Sequence, residues 1–442
     1  MRVHGSYDVA VIGGGQAGLA MSNCLCRGGI EHIVLEKHRP GHDWRERRWD
    51  SFCLVTPNWQ CDLPGFPYAG GDPHGFMAKD EIVRYIEAYA ASFGPPLVEG
   101  VAVTALCARG RGFALATTAG SCTAERVVLA VGGYHVPALP RIAERVPAGI
   151  VSLHSAAYKR PEQLPPGGVL VVGTGQSGCQ IAEDLHLAGR RVHLAVGSAP
   201  RTARRYRGKD VVEWLDAMGH YRMPVGDHPQ GDRIRDRTNH YVTGRGGGRD
   251  IDLRQFAREA MELHGRLVDV TAGAAEFADD LAGHLDRADA AADRIKDGID
   301  RFIAAQGIAA PTEPRYQPVW TPGDRPRRVE LAAAGISAVI WCTGFRSDWS
   351  WVDLPIFDGR GYPSNTRGVT CAAGVYVLGL PWLHTWGSGR LSAVGADAEY
   401  LAEHIARSAI EHRPSHRAGA GSPAGDLSPS SSPPSNPSPA AP

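Results

Sequence analysis

Short apolar runs without polar alternation punctuate the first 400 residues of the chain. Asp8 to Ile12 is a β-branched run of this kind, and Ile30 to Leu35 reads as the next strand. They predict strands covered on both faces. Arg126 to Val131, Val169 to Val172, Val339 to Cys342 and Val375 to Leu380 repeat the pattern. Amphipathic stretches lie between them. Residues 19 to 29 predict a first crossover helix. Asp80 to Ser92 places Ile82, Val83, Ile86 and Tyr89 at helical spacing, with Asp80 as the cap. Val101, Val103 and Ala105 alternate, so Leu97 to Thr118 predicts antiparallel strands. Asp250 to His264 reads as a helix. Leu281, Leu285, Ala288, Ala292, Ile295, Ile299 and Phe302 recur in steps of four and three. That spacing predicts a helix with a coiled-coil-like seam, packed on its own domain, the commoner case, or used in a homodimer. Leu391 to Ser408 predicts a closing helix. Buried strands alternating with helices make the chain α/β with parallel sheets.

The first strand runs into Gly13-Gly14-Gly15-Gln16-Ala17-Gly18. Gly13 permits a tight turn, Gly15 lets a pyrophosphate approach the backbone, and Gly18 lets the following helix pack close to the strand. Free N–H groups at the helix start and the positive end of its dipole face the phosphates. The second strand ends at Glu36, eighteen residues after Gly18. A carboxylate there accepts hydrogen bonds from a ribose diol. A lone G-x-G-x-x-G is weak. One that follows a strand, opens a helix and has an acid at this distance is strong.

The pattern returns at Gly173-Thr174-Gly175-Gln176-Ser177-Gly178, with all three glycines displaced by 160. Here Val196 stands where the first unit has Glu36, and Arg201, Arg204, Arg205 and Arg207 follow. A carboxylate repels a 2′-phosphate, whereas Arg pairs with it bidentately. The first unit thus suits FAD or NAD and the second leans toward NADPH. The alternative reading of the Arg cluster is an exposed basic loop.

The 442 residues exceed one ordinary core, so more than one domain is expected. Residues 1–150 are assigned to a first dinucleotide-binding domain and 151–335 to a second, carrying an insertion over about 206–330. Residues 336–412 return to the first domain, and 413–442, rich in Pro and Ser, form a disordered tail. Hydrophobic content of 43%, charged content of 21% and zero net charge describe a soluble globular protein. Nothing points to nucleic acid or a membrane. Met1 to Tyr7 leads almost directly into the first strand with no signal peptide, so a cytoplasmic location is the default expectation. Nine scattered Cys without C-x-x-C argue against metal ligation and against a redox-active Cys pair.

With these motifs in place, the chain resembles the flavin-containing monooxygenase type of two-dinucleotide-domain flavoproteins. That class includes plant indole-pyruvate monooxygenases, Baeyer–Villiger monooxygenases and bacterial flavoprotein relatives. The resemblance covers most of residues 7 to 410. The first Gly motif with Glu36 and Lys37 resembles the FAD motif. Trp44-Arg45 resembles the G-G-x-W-R element beside the flavin, with its glycines replaced. Leu129-Ala130-Val131-Gly132 resembles the A-T-G strand, with Val131 for Thr, and Val103 is placed at the same site. Cys342-Thr343-Gly344-Phe345 resembles the second A-T-G element. His154-Ser155-x-x-Tyr158 occupies the place of the family's His-and-aromatic signature, but Ala148 and Ile150 replace its Phe and Gly, which counts against Baeyer–Villiger chemistry. His154 is expected to order the domain linker.

The resemblance implies two Rossmann-like domains, for FAD and NAD(P)H, the FAD domain discontinuous and the insertion partly helical. It implies an FAD- and NADPH-dependent monooxygenase that forms a C4a-hydroperoxyflavin and oxygenates a small N, S or keto-acid nucleophile with O₂. Alternatives are a reductase or dehydrogenase that does not oxygenate and a non-catalytic flavin-bound redox sensor. Thr56, Asn58, Trp59 and Gln60 lie near the flavin in relatives. Asn58 is the leading candidate for the oxygen-activating contact and Gln60 the second. Asn58 also reads equally well as a turn former after Pro57. Trp382 and Trp386 are candidates for the pocket wall, or else ordinary core.

Overall fold

In the computed structural model, which describes residues 2–411, two sheets, the first mixed and the second parallel, are each built around one Gly motif. The expected tail lies outside the described residues. The first sheet begins with β1 (Ser6–Ile12), α1 (Gln16–Arg27) and β2 (His32–Leu35). After an irregular stretch come α2 (Lys79–Phe93) and the meander β3 (Val103–Arg109), β4 (Gly112–Thr117) and β5 (Gly120–Leu129). The second sheet contains β6 (Val151–His154), β7 (Gly168–Val172), α3 (Gln176–Leu187) and β8 (Val192–Ala195). Then follow α4 (Leu253–Arg258), β9 (Glu262–His264), α5 (Leu281–Gln306) and β10 (Ile336–Trp341). The chain closes with β11 (Val375–Val377) and α6 (Val394–Glu411).

β1 is parallel to β2 on one side (Val11 opposite Val34) and to β5 on the other (Val11 opposite Val128). β11 joins the far side of β5 in parallel, so the last segment returns to the first sheet. The second sheet runs β6-β10-β7-β8-β9, all parallel. Both faces of each central strand are buried. Val9 and Val11 pack beneath α1, α2 and α6, while Ala10 and Ile12 enter a separate core with the meander. Val169 and Val171 face one core of the second sheet, Leu170 and Val172 another. This double burial is why these strands read as continuous apolar runs.

Three expectations are revised, and for the α5 seam one of two alternatives is selected. The return to the first sheet comes later than residue 336, because Ile336–Trp341 is hydrogen-bonded between β6 and β7 in the second sheet. Asp250 to His264 is not one helix. Asp252 caps the short α4 by accepting from the Arg254 and Gln255 amides (2.9 and 3.1 Å), Ala260 turns the chain at φ +74°, and Glu262–His264 pairs with β8. Sheet pairing overrides helical periodicity here. Asp80 does not cap α2: the Glu81 carboxylate accepts from the Ala78 amide at 2.8 Å. The α5 seam is covered by its own chain. Leu281 and Leu285 join the core of the second sheet, and Ile299 and Ile303 pack with Ala203, Tyr206, Val211 and Trp214. Among the described residues no helix is long and apolar enough to cross a membrane.

Candidate functional site

The two Gly motifs have the same backbone architecture. The Gly13 amide donates to Leu35 O (2.8 Å) and the Gly173 amide to Ala195 O (3.0 Å). Gly13 and Gly173 sit at φ +105° and +100°. A Cβ on Gly13 would meet Ala130 O at 2.6 Å; one on Gly173 would meet Cys342 O at 2.9 Å. A Cβ on Gly18 or Gly178 would fall 1.8 or 1.9 Å from the carbonyl oxygen of Gly13 or Gly173. These positions have no room for any other residue. Gly15 is different: among the described residues nothing lies within 4 Å of its would-be Cβ, at the start of α1. That is the shape of a phosphate cradle. At Gly175 the open space is bounded by the Thr238 methyl at 3.6 Å.

The two units differ at the end of their second strands. Glu36 accepts from the Gly14 amide through Oε2 (2.6 Å) and from the His38 amide through Oε1 (2.8 Å). Its carboxylate is fixed beside the cradle with lone pairs left for a ribose diol. In the second unit that place has no acid. The Thr174 hydroxyl accepts from the Gly197 amide at 3.0 Å, and the neighbouring Val196 is buried. The residues present therefore fit one dinucleotide at each cradle, with an acid only at the first.

Other expected residues fall as follows. Ala130 is buried and its amide donates to Ile12 O (2.8 Å), while Gly132 adopts φ +71° just beyond. Val103 opens β3 next to the loop in which the Val101 amide donates to Glu36 O (2.9 Å). Lys37 is exposed. Trp44 is half-buried against Phe52 and beneath the Arg48 guanidinium, and Arg45 is paired with Glu87 at 2.5 Å. Ser177 lies in the first turn of α3, and Gln176 Nε2 donates to Val242 O at 2.5 Å. Thr343 donates to Ala138 O (2.5 Å). Gly344 O accepts from the Ala138 amide (3.0 Å) and lies 2.8 Å from His154 Nε2. Because His154 Nδ1 accepts from the Ala156 amide, Nε2 carries the proton. Burial also pushes the His154 pKa down, so this histidine orders the linker as a neutral ring.

Arg201 and Arg204 are not free to meet a 2′-phosphate as the structure holds them. Arg201 is buried, donates to Asp289 of α5 at 2.6 Å, and lies over the Tyr316 ring. Asp289 and Asp286 also bind Arg254, so this network ties α5 to the second sheet. Arg204 is 2% exposed. It pairs with Asp210 at 2.5 Å and donates to Val55 O of the first domain at 2.8 Å. A local cluster of basic residues gave no sign of these partners, which come from residues 6 to 149 positions away.

Asn58 is buried with both ends of its amide used: Nδ2 donates to Asp72 O (2.9 Å) and Oδ1 accepts from the Met77 amide (2.8 Å). It pins the 72–77 loop. Gln60 is also buried, and its Oε1 has no partner among the described residues. The segment Gly379 to Arg390 lies over the start of α1: a Cβ on Gly379 would sit 2.5 Å from the Ala17 Cβ, and Gln16 Nε2 donates to Gly389 O at 3.4 Å. The insertion meets the same segment, since the Val225 amide donates to His384 O (2.6 Å) and Arg235 to Trp382 O (3.0 Å). Trp386 has the Arg390 guanidinium 3.5 Å from its ring centre and the tilted Tyr221 ring at 4.5 Å. Trp382 and Tyr221 are buried. Tyr221 and the unpaired Gln60 amide were not legible beforehand as a wall and a free acceptor: the first lies in a segment without motif, and the second depends on what its neighbours leave unpaired.

Residues 10–242 match the model of the pyridine nucleotide-disulphide oxidoreductase family. An oxidoreductase described as CzcO-like from Geobacillus kaustophilus is 33% identical over 90% of this chain and 98% of its own length. The chain belongs to that family. Rice indole-3-pyruvate monooxygenase YUCCA1 is 32% identical over 42% of this chain and 47% of its own length. A flavin-containing monooxygenase from Stenotrophomonas maltophilia has the same fold, with a TM-score of 0.62 and 20% identity over 92% of this chain and all of that one. The protein is a flavin-monooxygenase-like, FAD-dependent oxidoreductase whose cofactors are FAD and NAD(P)H.

Proposed function

We propose that the protein is an NADPH-dependent monooxygenase that inserts one oxygen atom of O₂ into a small nucleophilic substrate. The observation that carries the reading is the asymmetry of two cradles with the same backbone turn, Glu36 on one and Thr174 with Gly197 on the other. Gly13 to Gly18, Glu36, Ala130 and Gly132 would hold FAD; Gly173 to Gly178 would hold the nicotinamide dinucleotide. With Arg201 and Arg204 committed elsewhere, the preference for NADPH rests on the missing acid at Val196. When bound, the flavin supplies hydride acceptance and oxygen activation.

The chain's own residues supply placement and dryness. The buried Trp382 and Tyr221, with Trp386 beneath Arg390, wall the junction between insertion and α1 and exclude water there. Asn58 positions the loop that carries Met77. Gln60 offers its unpaired carbonyl oxygen to a proton on the reacting group or on the flavin edge. The aromatic residues at this junction support oxygenation over plain reductase chemistry, and the absence of a C-x-x-C pair argues against a dithiol reductase.

Stopped-flow mixing of NADPH-reduced enzyme with O₂ tests the reading. A lasting spectral phase between reduced and oxidised flavin is expected. Direct return to oxidised flavin would refute oxygen transfer, and a clear preference for NADH would refute the cofactor assignment.

A further inference from the structure

The second sheet carries a cluster of donors that the redox chemistry does not use. β8 and β9 are parallel neighbours with His193 directly opposite Glu262, and His264 lies two residues further along β9. Side chains two apart on a strand share a face, as do paired residues on adjacent strands. All three therefore project to one side of the sheet, against the hairpin that carries Phe277. His264 stacks on Phe277 at 4.4 Å, and both histidines are 2% exposed. His193 Nδ1 lies 3.1 Å from His264 Nε2 and 3.6 Å from Glu262 Oε2, and the three donor atoms all fall within 4.8 Å of one another.

The geometry points to a divalent transition-metal site at His193, Glu262 and His264, with Zn²⁺ as the ion and water as the fourth ligand. Donors about 2.0–2.1 Å from a tetrahedral ion stand roughly 3.3 Å apart, between the two measured separations. Two neutral imidazoles and one carboxylate form a borderline donor set that suits Zn²⁺ better than Ca²⁺ or Mg²⁺. The outer nitrogens, His193 Nε2 and His264 Nδ1, have no partner among the described residues. Neither ring is locked into one tautomer by a third group. Both can carry their proton outward and present an inner lone pair, at the cost of the hydrogen bond between them and of a second buried N–H without a partner among the described residues. Glu262, with its side chain 40% exposed, can rotate to close the third edge and provides the route from solvent. The Val196 amide donates to His264 O at 3.0 Å, so an ion here would clamp edge strand β9 to β8 next to the loop that ends the second nucleotide cradle.

The test uses tag-free, FAD-loaded full-length protein, stripped with a chelator and titrated with Zn²⁺ by calorimetry and with Co²⁺ by visible absorption. One saturable equivalent is expected, with the intense d–d bands of tetrahedral Co²⁺ and no thiolate charge-transfer band. Glu262→Gln should weaken binding by tenfold or more. Glu259→Gln, which alters the neighbouring His186–Glu259 surface pair, should leave it unchanged. Zn²⁺ should raise the Tm of the wild type and of Glu259→Gln but not of Glu262→Gln. The half-exposed Glu262 decides the outcome, because variants at the buried histidines can misfold. No saturable equivalent, wild-type affinity in Glu262→Gln, or a Co²⁺ spectrum of thiolate ligation would overturn the assignment.

Discussion

Gly15→Ala and Gly18→Ala should fail in different ways, and the contrast tests how the first cradle works. A Cβ at residue 18 would lie 1.8 Å from Gly13 O, against roughly 3.3 Å for a tolerable C···O contact. Helix α1 would have to retreat from β1 by roughly 1.5 Å, through a core in which Val11, Leu19 and Ala20 are fully buried. The cost should exceed the about 1–3 kcal/mol of ordinary overpacking, and the first domain should lose its fold with or without flavin. At residue 15 the backbone lies at φ −75°, which alanine adopts freely, and no atom stands within 4 Å of the added methyl. The apoprotein should change by about 1 kcal/mol or less, the scale of an N-cap exchange. The proposed occupant of that space is a cofactor phosphate, so FAD should be lost. With it goes the stabilisation that ligand gives, about 2.7 kcal/mol at a hundredfold excess over Kd. The assay is flavin absorbance per chain together with Tm, with and without added FAD. The twin variant Gly175→Ala should stay yellow and lose only NADPH-driven flavin reduction. A Gly15→Ala protein that keeps one FAD per chain, or a Gly175→Ala protein that loses it, would refute the assignment.

Arg204→Gln should cost about 3–5 kcal/mol, because it leaves the Asp210 carboxylate buried and unpaired. The NADPH to NADH rate ratio of the surviving enzyme should not move; a switch to NADH at unchanged Tm would show that Arg204 reads the phosphate. Asn58→Ala should cost about 1–3 kcal/mol by orphaning the Met77 amide. Gln60→Leu should keep its Tm and instead release more hydrogen peroxide per NADPH, and unchanged coupling would exclude Gln60 from the reaction. Burial lowers the pKa of both His32 and His154 below the ordinary 6.5. The folded state therefore binds fewer protons than the unfolded state in the window below that value, and stability should fall as pH drops through it, by up to about 1.4 kcal/mol per pH unit for each ring. Thermal melts from pH 7.5 to 5 should show a shallower decline for His154→Gln, and an identical slope would rule that ring out.

Much of the site was legible because its physics is local. A strand, a turn at positive φ, a helix start and an acid at the end of the next strand span about thirty residues, and each demands particular residue types. The duplication at a fixed offset of 160 residues and the missing acid at Val196 needed no coordinates. The fates of Arg201, Arg204 and Asn58 were not legible. A guanidinium goes to whichever carboxylate the fold buries beside it, and Asp289 and Asp210 reach those arginines only through tertiary packing. Asn58 became a loop pin because Asp72 and Met77 close around it.

Helix periodicity over Asp250 to His264 yielded for the same reason. Leu263 had to lie beside Leu194 in the second sheet, and a sheet edge outbids a marginal helix. The amino-acid order by itself determined the two cradles and the asymmetry between them, because backbone turns and close approaches tolerate few side chains. Only the tertiary structure decided which charges are spent on holding domains together and which polar atoms remain unpaired. Both depend on partners far away in sequence, and burial makes every such pairing all-or-none.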